Sequence, residues 1–177
     1  MVAGRVGAVP DLRLLFTSAY RQHSPTVNGY LRSQGLEDPE AVTQDVFLAL
    51  YPRLADLRGG SDGLRSLIFS IAHARVVDHH RRRRRSPTIS EYDPASDTRT
   101  TSSAEDSALS GHTDAELRLA SLPPDYREVL ALRIIADLSV EATAQIMGKT
   151  PGAVKQLQRR ALTTLRNELT MHAESTS

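Results

Sequence analysis

Apolar residues recur at three- and four-residue spacing almost from the start of the chain, and no stretch alternates as a half-buried strand would. Leu12, Leu15, Phe16 and Tyr20 predict a first amphipathic helix that Pro25 interrupts, with Val27, Tyr30 and Leu31 continuing the theme. Asp38-Pro39-Glu40 is a strong start signal for a second helix: a capping acid, proline at the first helical position, then another acid. Its predicted buried stripe is Val42, Val46, Ala49 and Leu50. LRGGSDG, with three glycines in seven residues, reads as a loop. A third helix is predicted from about Leu64 into the arginines at Arg81–Arg85, with Leu64, Leu67, Ile68 and Ile71 on one face.

Between Ser86 and Thr113 the pattern fails. Twelve of these 28 residues are Ser or Thr and five are acidic, while only Ile89, Tyr92 and Leu109 are large and apolar. Such a segment cannot bury enough surface to offset its ordering entropy, so a flexible acidic linker is expected. Helical periodicity resumes at Asp114. A short helix should end at Leu122, because Pro123-Pro124 cannot continue it. The next runs from about Pro124 to Ala136 and should bury Tyr126, Val129, Leu130 and Ile134. Ser139 is the expected N-cap of a third helix that Gly148 stops, and Thr150-Pro151 opens a fourth. The expected fold is all-α: two small helical domains at 10–85 and 114–170, a linker at 86–113 and a disordered tail at 171–177.

Composition adds less than the distribution of charge. The net charge is only +1, but His73–Arg85 holds six arginines against one acid, Asp78. Lys149–Arg166 holds five basic residues and no acid. Arginine outnumbers lysine 20 to 2, which reads first as a coding bias. The chain has no cysteine, which excludes disulfides, thiolate zinc sites and a cysteine nucleophile. His79 and His80 diverge on a helix and His73 lies off the face of His79, so no metal site is expected. No clustered carboxylates and no nucleophile–base pair point to catalysis, and no cofactor is implied. No apolar run approaches the roughly 18–20 residues that span a bilayer. The N-terminus lacks a basic segment followed by an apolar one, so no secretory signal is expected. These features fit a cytoplasmic protein without membrane insertion.

The sharper motif lies in the second half. Val140–Met147, the turn Gly148-Lys149-Thr150 and the helix from Pro151 form a helix-turn-helix. On the second of these helices Val154, Leu157, Ala161 and Leu165 make a stripe that packs on the domain. Lys155, Gln156, Arg159 and Thr163 point the other way, with Ala153 and Arg160 on the flank. That acid-free face carries the long donors a recognition helix needs: Arg for guanine, Gln for adenine, Lys for phosphate or guanine.

LPPDYREVLALRIIADLSVEATAQIMGKTPGAVKQLQRRALTTLR resembles region 4 of the extracytoplasmic-function (ECF) group of bacterial sigma factors, whose usual pattern is LPxxxREVLxLR followed by LSxxEIAxxLGxSxGTVKxxxxRAxxxLR. DPEAVTQDVFLALYPRL resembles the part of region 2 that engages RNA polymerase core. LRSLIFSIAHARVVDHHRRRRR resembles the helix FRAWLFxIARNxxxDxxRRxxR that reads the promoter −10 element. The resemblance covers Leu12 to Glu168, with both halves in the family's order and a linker between them.

This resemblance implies a sigma factor that directs core enzyme to promoters and helps open the −10 element. Its implied partners are the β′ clamp helices and β flap of core, promoter DNA (duplex at −35, single-stranded at −10), and an anti-sigma factor. When bound to polymerase, the protein would sit on the nucleoid. Gln44, Asp45 and Phe47 fall on the family's core-binding motif, with Phe47 expected to pack inward. Ala41 stands where the family commonly has an acid. Ser61, Asp62, Arg65, His73, Arg75, His79 and Arg81, Arg82, Arg83, Arg84 and Arg85 fall on the −10 side. The arginine run is expected to hold phosphates, and Asp78 to orient arginines. Lys149, Thr150, Ala153, Lys155, Gln156, Arg159, Arg160 and Thr163 fall on the −35 side. Leu67 aligns with the family's usual tryptophan, and this chain has no Trp.

Two other readings compete. A stand-alone regulator would use the same helix-turn-helix on an operator, with the first domain as a sensor or dimerisation unit. A pure interaction protein would use its apolar faces alone. A nuclease or metal enzyme lacks the ligand spacing.

Overall fold

The computed structural model describes residues 11–85 and 114–175. The linker expected at 86–113 and the first ten residues lie outside the described residues. Within them every regular element is helical: α1 Leu12–Ser33, α2 Pro39–Leu50, α3 Gly60–Arg85, α4 Asp114–Ser121, α5 Pro124–Leu130, α6 Val140–Met147 and α7 Pro151–Ser175. A 3₁₀ turn at Tyr51–Asp56 follows α2, and a π-helical turn at Ala131–Ile135 extends α5.

Local chemistry sets most of the boundaries. The Asp11 carboxylate accepts the Arg13 and Leu14 amides, and Asp38 accepts that of Ala41 one residue before Pro39 enters the first turn of α2. Ser139 accepts the Ala142 amide, Gly148 ends α6 at φ +62°, and Thr150 accepts the Ala153 amide to open α7. Each cap satisfies backbone groups that a helix end leaves without intrahelical partners.

Four expectations need correction. Pro25 does not interrupt α1; the helix runs through it. The lost backbone bond is outweighed by burial on both sides, with Ala19 and His23 before the proline and Val27, Tyr30 and Leu31 after it. In α2 the fully buried residues are Thr43, Val46, Phe47 and Leu50, while Val42 and Ala49 are only partly buried. The third helix starts at Gly60, so half of the expected glycine loop is helical. Gly59 and Gly60 take positive φ, and the Gly63 amide donates to the Gly59 carbonyl. Gly63 itself lies so close to the Arg58 carbonyl that a Cβ there would stand 1.9 Å from its oxygen. The fourth correction is Ile134, which is 56% exposed. An α-helix would place it on the stripe of Leu130. The π turn, marked by the Ala136 amide donating to the Ala131 carbonyl five residues back, shifts the phase and buries Ala131, Leu132 and Ala136 instead.

The two halves share a core. Ala131, Leu132, Ala136 and Leu138 belong to the same buried cluster as Val27, Tyr30, Leu31, Ile68 and Phe69. Ile146 and Met147 of α6 pack against that cluster too. α1 passes close to the second half at Gly29, where an added Cβ would meet Glu116 at 3.5 Å and Ile135 at 3.9 Å. A second cluster, built from Leu119, Leu122, Val129, Leu130, Ala144, Val154 and Ala161, holds the helix-turn-helix together. α7 continues to Ser175, five residues into the segment 171–177 assigned from sequence to a tail.

Candidate nucleic-acid interface

The helix-turn-helix places its side chains as the wheel predicts. Val154 and Ala161 are fully buried, and Leu157 and Leu165 pack partly against the same cluster. Lys155, Gln156, Arg159, Arg160 and Thr163 are exposed, and Ala153 is half-buried. Thr150 is exposed, but its hydroxyl oxygen is engaged as the cap of α7, and the Thr163 hydroxyl donates to the Arg159 carbonyl. Lys149 forms an ion pair with Asp125 at 3.5 Å. Lys155, Gln156, Arg159 and Arg160 therefore present four long donors to solvent from α7, a geometry suited to a major groove.

Arg133 links separate elements of this unit, and sequence reasoning missed it. Its Nε donates to Gln158 on α7 at 3.1 Å, and its Nη1 donates to the Leu138 carbonyl in the turn before α6. One guanidinium thus ties the π turn, the approach to α6 and α7 together. No local pattern distinguishes it from a surface arginine.

The −10 candidates do not converge on one point. Ser61 and Arg85 lie at opposite ends of α3, separated by about 36 Å along a helix rising ~1.5 Å per residue. Ser61 and Asp62 are exposed in the first turn, and Arg81–Arg85 are exposed in the last. Arg83 reaches Glu37 at 3.6 Å. Arg75 and His79 are half-buried, and Arg75 Nε and His79 Nε2 are buried with no hydrogen-bond partner. Arg65 and His73 are held by the second half of the chain. Arg65 Nη1 donates to both the carboxylate and the backbone carbonyl of Asp137, each at 3.2 Å. Asp137 takes a left-handed φ of 51° at the end of the π turn. His73 Nδ1 comes within 2.5 Å of Glu128 Oε1, although the atoms are not aligned for a hydrogen bond. This contact becomes an ion pair when the imidazole is protonated.

Burial shapes the electrostatics of this face. It lowers the His80 pKa first, with His79, Arg127, Arg84 and Arg83 adding repulsion toward the charged ring. It likewise lowers His23, with Arg65 second, and lowers Arg127. Tyr30 is pushed well above the usual phenol value by burial and then by the charge of Glu128, so it stays neutral.

The core-binding candidates separate by burial. Gln44 and Asp45 are exposed on α2, whereas Phe47 is 1% exposed and packs edge-on against Phe16 and Tyr20. Leu48, which sequence reasoning did not single out, is 70% exposed. Phe16, Tyr20, Gln44, Phe47 and Leu48 line an open apolar groove. The available signal was a leucine on the otherwise polar face of α2, four residues from Gln44.

The chain is similar to known proteins along most of its length. The family model for Sigma-70, region 4 matches residues 113–165, which puts the helix-turn-helix half in the sigma-70 class. The ECF RNA polymerase sigma factor BldN of Streptomyces coelicolor is 32% identical over 154 residues, covering 85% of this chain and 58% of BldN. ShbA of Streptomyces griseus, also an ECF RNA polymerase sigma factor, is 33% identical over 132 residues, covering 72% of this chain and 69% of ShbA. This chain belongs to the ECF RNA polymerase sigma factors. Its fold matches that of RpoE from Bartonella quintana, solved with the anti-sigma factor NepR, at a TM-score of 0.67 and 21% identity over 88% of this chain and 96% of RpoE. The chain spans little more than half of BldN and about two thirds of ShbA. Among the described residues no helix is long and apolar enough to cross a membrane.

Proposed function

We propose that this chain directs RNA polymerase core enzyme to specific promoters and helps hold the opened −10 strand. The observation that carries the reading is the exposed acid-free face of α7, set on a capped helix-turn-helix in the same chain as the α2 surface of Gln44, Asp45 and Leu48. In this reading Gln156, Arg159 and Lys155 contact the −35 duplex, with Lys149, Thr150, Ala153, Arg160 and Thr163 around them. Ser61, Asp62, Arg65, His73, Arg75 and His79 face the −10 strand, and Arg81–Arg85 hold its phosphates. Single-stranded DNA is bound through stacking, pocket contacts and a basic track rather than groove readout. Gln44, Asp45 and Leu48 meet the clamp helices of core, Phe47 supports them from below, and the β flap receives the second half.

Run-off transcription on a pool of genomic fragments with purified core tests this directly. Transcripts that require the protein and share two spaced elements are expected. Tight binding to symmetrical duplex sites without core, and no dependent transcripts, would establish the operator reading instead. RpoE of Bartonella quintana was solved bound to an anti-sigma factor. We extend that type of partner to this chain, acting from the cytoplasm on the core-binding surface. Recovery from native cells of only free and polymerase-bound protein would count against it.

A further inference from the structure

Val154, Leu157, Ala161 and Leu165 seat α7 on the rest of the helix-turn-helix through apolar contacts. Apolar attraction is non-directional, so it fixes the depth of a helix better than its rotation about its own axis. Val154 and Ala161, the two fully buried members of the stripe, are also small. One polar residue stands on this packed side. Gln158 follows Val154 by one turn, precedes Ala161 by three residues and is half-buried. Its side-chain oxygen accepts from Arg133 Nε at 3.1 Å.

The same guanidinium makes a second bond. Nη1 of Arg133 donates to the carbonyl of Leu138, the buried residue just before the Ser139 cap of α6. A guanidinium is a rigid planar fork, so the two bonds set the entry of α6 against α7 as one flexible ammonium would not. Two of its nitrogens are thereby engaged inside the unit. Other polar ties lie nearer the surface: exposed Ser121 donates to Glu168 toward the far end of α7 at 3.2 Å, and Lys149 pairs with exposed Asp125 at 3.5 Å. Water competes for such exposed pairs. It competes less for the half-buried bond between Arg133 and Gln158.

Arg159 follows Gln158 directly, and Gln156 and Lys155 lie two and three residues before it on the exposed side of α7. Turning α7 about its axis would carry all of these side chains together, away from the base edges that a bidentate contact requires. We propose that Arg133 is a positioning residue for −35 recognition. Acting through Gln158, it fixes the rotation of α7 and with it the base edges that Gln156 and Arg159 meet. The proposal rests on the reading of α7 as the −35 helix. Arg133 itself touches no DNA in this role, which separates it from an arginine that holds a phosphate.

The test uses the full chain assembled with core polymerase and selects promoters from a randomised −35 library. Arg133→Lys keeps the charge and removes the fork. Gln158→Ala removes the acceptor from the α7 side and leaves Arg133 in place. Each should lower the discrimination between preferred and mismatched −35 sequences about five- to tenfold, as a displaced bidentate contact would. The two changes together should lower it no further than either alone, because both break one bond. Gln158→Glu keeps an acceptor oxygen and should retain the preference. For Arg133→Lys and Gln158→Ala, affinity for arbitrary duplex should stay within about twofold, with an unchanged salt slope. Urea denaturation of the free chain measures stability alongside.

A preference retained in Arg133→Lys but lost in Arg133→Gln, with a shallower salt slope, would make Arg133 a phosphate contact and overturn the positioning role. Additive losses in the double variant would do the same. A loss that is uniform over all −35 sequences and tracks a lowered urea midpoint would leave Arg133 a purely structural residue. If the unmutated holoenzyme shows no −35 preference, the reading of α7 falls and this proposal with it. A preference that survives both single variants overturns this proposal alone.

Discussion

α7 and α3 are both long, basic helices, yet they meet their surroundings in opposite ways. α7 buries Val154 and Ala161 on one side and leaves Lys155, Gln156, Arg159 and Arg160 exposed on the other. α3 buries residues on several sides: Leu64, Ile68, Phe69 and Ala72 lie in the shared core, while Arg65 and His73 reach Asp137 and Glu128 of the second half. A helix with one buried stripe announces its working face by subtraction. A helix packed on two sides does not, because its polar residues are shared between internal contacts and ligand. Much of α3 is therefore engaged in internal contacts, while the outward half of α7 is open to solvent.

The largest effects that sharpen this contrast come from two glycines. Gly63→Ala drives a methyl group into the Arg58 carbonyl and should destabilise the fold by about 1–3 kcal/mol. Gly152→Ala, at the start of α7 with nothing within 4 Å, should be neutral or stabilise by up to about 1 kcal/mol. Urea denaturation of both variants measures the difference; equal midpoints would contradict the packing described for α3.

Recognition by α7 comes next. Gln156→Ala and Arg159→Ala should each weaken binding to the preferred −35 sequence by about 1–3 kcal/mol for the base pair concerned while sparing stability. Selection from a randomised −35 library reads this out, and an unchanged consensus would remove these residues from the reading face. For α3, replacing Arg82–Arg85 by glutamine should weaken DNA association whatever the sequence. It should also reduce the slope of log affinity against log salt by ~0.7 for each single-strand phosphate that the protein no longer neutralises. A defect confined to particular −10 sequences would make these arginines base readers.

The smallest effect is in pH. His23 and His80 both have folded pKa values below the usual 6.5, chiefly through burial. The unfolded chain therefore binds protons that the folded chain resists. Their contribution to stability is complete above the unfolded value and is lost as pH falls through it toward the lowered folded values. Thermal unfolding should occur at lower temperature at about pH 5 than at pH 7.5. The His80→Gln variant should show a shallower dependence. An identical slope would place His80 in solvent.

The same contrast explains what was legible. Caps, prolines and glycines act within a few residues, so Asp38-Pro39, Ser139, Gly148 and Thr150-Pro151 located helix ends that the structure reproduces. The outward face of α7 was legible for the same reason. Pro25 misled because tertiary burial overrides local propensity within a long helix, and Ile134 misled because a π turn breaks the period that wheel arguments assume. Leu48 was missed because an exposed leucine acquires meaning only beside Phe16, Tyr20 and Phe47.

Sequence alone determined the helical class, the order of the elements, the helix-turn-helix with its exposed basic face, and the resemblance that led to the ECF family. All of these are carried by residues close together in the chain. Only the tertiary structure decided which basic residues are engaged. Arg65 meets Asp137 across 72 positions, and His73 meets Glu128 from the other half of the fold. Contacts at that separation depend on how two helical units dock, and docking follows from the combined shape and burial of both surfaces. No local pattern encodes that sum.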